Sequence, residues 1–235
     1  MLAAPRFFPM GDRALIVEFG DSIDTALSAH IAALAQQLRD SRPIGVLDIV
    51  PAYATLALHY DPAAIGAGAS PYETLCDIIA RWLQAQSTAA TAAGRRIEIP
   101  VCYGGDFGPD LDALARAAGL SRNEVIALHS AATYHVHMLG FVPGFAYLGG
   151  LDARIAMPRR DTPRAHVPAG SVAIAGQQTG IYPLDTPGGW QIIGRTPLQL
   201  FKPESSPPSL LNAGDQVHFV QISPADFEAQ SKAAS

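Results

Sequence analysis

Five arginines, Arg154, Arg159, Arg160, Arg164 and Arg195, fall between residues 154 and 201 against only two acids, Asp161 and Asp185, in a chain whose net charge is −5. Planar guanidinium forks match carboxylates and phosphates two donors at a time, so the segment PRRDTPR at 158–164 is a candidate clamp for an anionic molecule. On a solvated loop the same charges would pair with nearby acids instead, and that alternative stays open. Side chains alternate along extended backbone, so Arg159 and Arg160 are expected to point apart, one toward a site and one into the scaffold.

Other residue types could share such a site. The stretches GFVPGF (140–145) and PGGW (187–190) set glycines, Gly188 and Gly189 among them, beside Phe145 and Trp190. A backbone without Cβ atoms lets a ligand approach closely while the aromatic supplies stacking area, although a tight turn braced by a ring gives the same pattern. Ser171, Gln177, Gln178, Thr179 and Tyr182 add donors and acceptors that would line one mouth of a barrel or face solvent. His129 suits a general base because its charge changes near neutral pH; a helix C-terminal charge is the competing role. His135 and His137 would share one face of a TYHVHML strand, but no carboxylate or cysteine sits beside them, and no metal is expected.

What is missing limits the chemistry. The sequence has no phosphate-binding GxxxxGK[ST], no GxGxxG after a strand, no GxSxG and no HExxH. Only Lys202 and Lys232 are lysines among 16 basic residues, which leaves Schiff-base chemistry almost without a candidate. An excess of acids argues against a nucleic-acid surface. Cys76 and Cys102 are too few and too far apart for a disulfide framework or a zinc knuckle, which fits a reducing, cytoplasmic setting. No segment has the length and hydropathy of a signal peptide or a membrane span.

The elements that must position these residues divide in two. Of 235 residues, 49% are hydrophobic and 16% charged, enough to bury a sizeable core. A strand over 13–19 feeds a helix carrying Leu27, Ile31, Leu34 and Leu38 at helical spacing, and two strands around Pro51 suggest a hairpin. A second helix starts at Ser70-Pro71-Tyr72-Glu73. STAATAAG reads as a linker, with the boundary at about 87–95, giving domains 1–90 and 91–235. Beyond it come a strand RIEIPV, a helix near Pro109, a stop at Gly119 and a helix behind the capping box Ser121–Glu124. Residues 140–215 hold ten of the 19 prolines and 11 of the 21 glycines. That density forbids long helices and leaves short strands, SVAIAG, WQIIG, LQLF and VHFVQI, in a small β-barrel carrying two helices. The terminal QSKAAS is expected to fray.

His129, TYHVHMLGFVPGFAYLGGLD (133–152) and MPRRDTPRAHVPAGSVAIAGQQTGIYPLDTPGGWQIIGRTPLQLF (157–201) together resemble the 5-oxoprolinase B-subunit family, also called allophanate hydrolase subunit 1 and including an inhibitor of a sporulation sensor kinase. The resemblance covers essentially the whole chain; His135-Val136-His137-Met138 departs from it, where Arg or another polar residue first and Tyr in place of His137 would be expected. It implies an α+β chain, a small α/β N-terminal domain followed by a cyclophilin-like β-barrel. It also implies a cytoplasmic protein, inactive alone, that joins the A and C subunits in an ATP-dependent complex opening 5-oxo-L-proline to L-glutamate, sharing ATP and Mg with its partner. Arg159, Arg160, Arg164 and Arg195 would then take the substrate carboxylate or transferred phosphate, with His129, Arg160 and Arg195 as catalytic groups, and Phe145, Tyr147 and Trp190 would wall the ring. Inhibition of a histidine kinase, or a role in urea or allophanate metabolism, are the alternatives the resemblance carries.

Overall fold

A computed structural model describes residues 4–41, 43–66, 70–85 and 94–234. The chain divides into two compact units, Met1–Ala93 and Gly94–Ser235. The linker expected at 87–95 lies for the most part outside the described residues.

The first unit is a four-stranded antiparallel sheet with helices. Its elements are β1 (Arg6–Pro9), β2 (Ala14–Glu18), α1 (Thr25–Ser41), β3 (Val46–Pro51), β4 (Thr55–Tyr60), a single turn α2 (Pro62–Ile65) and α3 (Pro71–Ala85), with strand order β1-β2-β4-β3. Val17 lies opposite Leu56 and Leu15 opposite Leu58, so alternation sends these residues to one face. There they meet Leu27, Ile31, Leu34 and Leu38 of α1 and Leu75 and Ile79 of α3 in one buried cluster. Strand β1, which Pro5 and Pro9 hide in the sequence, is an edge strand, where proline costs no ladder bond.

The second unit is a closed barrel. It contains β5 (Arg96–Tyr103), α4 (Leu111–Ala118), α5 (Arg122–Ala131), β6 (Thr133–Leu139), β7 (Ala146–Gly149), a 3₁₀ turn at Ala153–Ile155, β8 (Arg164–Val167), β9 (Ser171–Ala175), β10 (Gln178–Ile181), β11 (Thr186–Gly188), β12 (Gln191–Arg195), β13 (Gln216–Gln221) and α6 (Pro224–Ala234). Seven strands close in the order β10-β7-β6-β13-β5-β12-β9, while β8 and β11 form a separate two-stranded ribbon. Ile99, Val101, Val136, Leu148, Val172, Ile174, Ile193, Val217 and Phe219 fill the core. Parallel β5 and β13 are tied at their start by the buried Asp215, whose carboxylate accepts Arg95 Nε at 3.0 Å and the Asn212 N–H at 2.7 Å. The capping box of α5 and the left-handed Gly119 (φ 67°) after α4 are present.

Two expectations are corrected here. LQLF is not a strand: Phe201 makes only an isolated bridge to Ser209, because Pro197 and Pro203 bracket it and cannot donate to a ladder. The tail QSKAAS, expected to fray, is helical over its described residues; they belong to α6, which a Ser223–Asp226 pairing caps and a Phe107–Phe227 ring contact holds at 4.7 Å.

The loop at 104–110 decides where the site stands. Gly104 (φ 72°) and Gly105 (φ 53°) adopt the left-handed region, which favours glycine. Gly108 presses against the Ile193 carbonyl with no room for a Cβ, and Asp110 N–H donates to Ile192 O at 2.9 Å. Gly108→Ala is therefore expected to destabilise the chain by about 2 kcal/mol or more, because backbone cannot yield as a side-chain tip can. Urea unfolding of the variant beside the parent chain measures it.

Candidate anion site

Asp110 is the centre of the site, and its carboxylate is almost wholly buried, at 5% exposure. It sits where a capping residue of α4 would, yet its side chain caps nothing. Instead one oxygen accepts Arg164 Nη1 at 2.8 Å and the Ile192 N–H at 2.7 Å; the other accepts Arg164 Nη2 at 2.7 Å and Arg160 Nη1 at 3.3 Å. Four donors on one buried carboxylate form a charge-assisted network stronger than neutral hydrogen bonds. Two guanidinium groups against one carboxylate leave positive charge in excess. The excess faces solvent through Arg160, whose side chain is 38% exposed against 23% for Arg164. Asp161, between them in sequence, is exposed and makes no hydrogen bond or ion pair among the described residues.

An aromatic cluster adjoins this network, with Phe145, Tyr182 and Trp190 buried and Tyr147 partly exposed. Phe145 meets Tyr147, Tyr182 and Trp190 edge-on at 4.9, 5.2 and 5.4 Å between ring centroids. The Arg160 N–H donates to Gly189 O at 2.7 Å, and Arg164 pairs with Gly188 across the ribbon. These bonds bring the arginine segment to the glycines that precede Trp190. The Arg159 guanidinium lies over the Trp190 ring, 5.9 Å from its centroid, a cation–π arrangement, so Arg159 and Arg160 do diverge. The glycines are fitted to this cluster: a Cβ on Gly188 would strike the Tyr182 hydroxyl, and one on Gly180 would lie 3.0 Å from both Phe145 and Trp190. Burial pushes the Tyr182 hydroxyl above its ordinary pKa, opposed by the Trp190 backbone and by the charges of Arg159 and Arg164.

Several sequence expectations land elsewhere. Ser171 is buried and spends its hydroxyl on Pro168 O at 2.7 Å. Gln177 stands exposed in the β9–β10 turn. Arg195 donates Nε to Ala169 O at 2.8 Å and is not among the donors on Asp110. Thr179 lies fully buried in the barrel, its hydroxyl donating to Ala173 O at 2.9 Å. Thr179 therefore accepts from His129 Nε2 at 3.0 Å, which leaves His129 Nδ1 to accept the Tyr103 hydroxyl at 2.8 Å. His129 has no exposed surface and stacks on Phe219 at 4.5 Å. The expectation of a general base is corrected on that ground: burial depresses its pKa to about 3, its one lone pair is occupied, and it contacts none of the arginines. It does not serve as a charged helix terminus either. A bulge at His137 breaks the alternation that would pair it with His135; His137 is buried against Gly149 and His135 is not. Among the described residues no group of three or more His, Cys, Asp or Glu is placed to hold a metal ion.

The carboxyltransferase domain, subdomain C and D, model matches residues 5–211. The 5-oxoprolinase B subunit of Bacillus subtilis is 44% identical over 228 residues, 94% of each chain, and that of Escherichia coli O157:H7 is 43% identical over 216 residues, 92% of this chain and 95% of the other. The chain belongs to this carboxyltransferase-domain family. The crystal structure of the conserved uncharacterized protein PH0987 from Pyrococcus horikoshii is 45% identical with a TM-score of 0.56, covering 94% of this chain and all of that one. The K. lactis urea amidolyase structure, 19% identical with a TM-score of 0.76 over 98% of this chain and 15% of that chain, shows the fold.

Away from these residues, a cleft of about 550 Å³ lies between the 102–107 segment and the start of α6. Its lining holds Asp106 and no lysine or arginine, so it does not suit a triphosphate. Another cleft, of about 350 Å³, is bordered by Phe141 (63% exposed, φ 70°), Gly144 and Phe201. No helix among the described residues is long and apolar enough to cross a membrane.

The buried histidine sets a pH dependence with a definite sign. Its folded pKa lies below its unfolded value of 6.5, so the unfolded chain takes up the proton first, and stability falls as pH drops from 6.5 toward 3. The slope contributed is about 1.4 kcal/mol per pH unit in that window and vanishes above it. His129→Gln is expected to be less stable at pH 7 but flatter between pH 6 and 4, as urea unfolding at each pH would record.

Proposed function

We propose that this chain is the B subunit of an ATP-dependent 5-oxoprolinase that, with the A and C subunits, opens 5-oxo-L-proline to L-glutamate while ATP goes to ADP and phosphate. The relatives that share nearly its full length at 43–44% identity carry the name of that 5-oxoprolinase component. The observation that carries the reading is an arginine pair in charge excess over a buried carboxylate, beside an aromatic cluster. 5-Oxoproline has the matching halves: a carboxylate for Arg160 and Arg159, and a small methylene-faced ring for the partly exposed Tyr147, with the buried Phe145 and Trp190 packed behind it. Arg164 holds the network that presents them, and the Arg160 N–H bond to Gly189 O fixes the arginine segment beside the rings.

A five-membered lactam is a poor electrophile, and ATP with Mg supplies activation of its amide oxygen. The clefts lined by residues 102–107 and 139–144 carry no lysine or arginine, which supports a reading in which ATP is held by a partner protein or by a surface completed by one. On this reading the isolated chain is inactive.

A urea reading rests on the Saccharomyces cerevisiae urea amidolyase, 25% identical over 94% of this chain but with only 13% of its own length covered. Urea is neutral and has no carboxylate to engage a guanidinium, so the excess charge at the site favours the acid.

Reconstitution with the A and C subunits tests both. ATP hydrolysis is expected to respond to 5-oxoproline and not to urea, and a response to urea alone would reverse the assignment. Arg160→Ala should lower kcat/KM by about tenfold or more while the complex stays assembled, consistent with loss of a charge-assisted contact. Unchanged turnover would remove Arg160 from the site.

A further inference from the structure

The Asp110 network is unbalanced in a way a purely structural ion pair would not be. Both oxygens of a buried carboxylate are taken by the parallel donors of Arg164, at 2.7 and 2.8 Å, while Arg160 shares one of those oxygens at 3.3 Å. A guanidinium has five donors, and Arg160 commits one side-chain donor, weakly. Its backbone is fixed by Gly189, so the side chain is tethered at its root and loosely at its tip. Buried charge is costly unless neutralised, and here one carboxylate balances two cations. An arriving anion would complete the neutralisation and would meet Arg160 before Arg164, because Arg160 is the more exposed.

We propose that Asp110 is a positioning residue that locks Arg164 as a strut and holds Arg160 half-released, so that Arg160 presents its free edge to the carboxylate of the substrate. The inference rests on the reading of the site as an acid-binding one and goes beyond it by dividing the arginines into a fixed member and a ligand-facing member. Asp110 acts through Arg160 and touches no substrate.

The test uses a double-mutant cycle in the reconstituted complex, with 5-oxoproline as the variable substrate. Asp110→Asn keeps an oxygen for the Ile192 N–H and removes the charge that holds the arginines. Asp110→Asn and Arg160→Gln are each expected to raise KM about tenfold with a smaller change in kcat, and the double variant to be little worse than either, since both remove one interaction. A multiplicative, roughly hundredfold rise in the double variant, or an unchanged KM in Asp110→Asn, would overturn the proposal.

A second measurement on the free chain needs no substrate, and so separates failure of the positioning from failure of the oxoprolinase reading. Guanidinium N–H exchange followed by ¹⁵N NMR should be slow for Arg164 and faster for Arg160. In Arg164→Lys, which keeps the charge but gives up the two-pronged grip, Asp110 should draw Arg160 in, and Arg160 exchange should slow several-fold. Arg160 exchange that stays the same or speeds up in that variant would overturn the competition between the two arginines. A complex that hydrolyses no ATP in response to 5-oxoproline, combined with the expected exchange pattern, would sink the substrate and leave the positioning role standing.

Discussion

A carboxylate with 5% exposure must be neutralised by its own chain, and the whole site follows from how Asp110 meets that requirement. Three segments far apart in sequence converge on it: the 104–110 loop that carries it, the 160–164 stretch that supplies two guanidinium groups, and β12, which supplies a backbone N–H. Because the charge is shielded from water, these bonds are stronger than surface ion pairs, and they add to the Arg160–Gly189 and Gln191–Pro158 hydrogen bonds that hold the arginine segment on the barrel.

The barrel keeps its polar interior separate from this surface. Tyr103, His129, Thr179 and the Ala173 carbonyl form a one-way chain of hydrogen bonds in which each donor has one acceptor, so the imidazole stays neutral and in one tautomer. Satisfying a buried histidine in this way avoids the desolvation cost of a charge and leaves the group unfit for proton transfer at neutral pH. Charge chemistry is thus confined to the rim, where Arg159 and Arg160 meet solvent above the buried Trp190.

Much of the fold was legible from the chain. Apolar spacing located α1 and α3, the Ser121–Glu124 box located α5, Gly119 marked the end of α4, and the proline and glycine density after residue 140 pointed to a barrel of short strands. The failures have local causes. LQLF has strand-forming residues but lies between prolines that forbid a ladder. Strand β1 has prolines at its borders and is tolerated because it is an edge. Polarity alone suggests a barrel mouth for Ser171 and Thr179, whereas each is turned inward to satisfy a carbonyl. Asp110 is not distinguishable in the sequence, because an acid after Pro109 at a helix start has the ordinary signature of a cap.

By itself the sequence determined which residues could recognise an acid: an arginine-rich segment, glycines that admit close approach, and aromatics beside them. Those are matters of residue type and of spacing within a few positions, which local chemistry encodes. Tertiary structure alone decided that Arg164 and Arg160 share Asp110 from some fifty residues away, that Arg195 is bound elsewhere, and that His129 is sealed in the core. The reason is physical: the pairing of a buried charge and the desolvation of an imidazole depend on which strands close the barrel, and no short stretch of sequence carries that information.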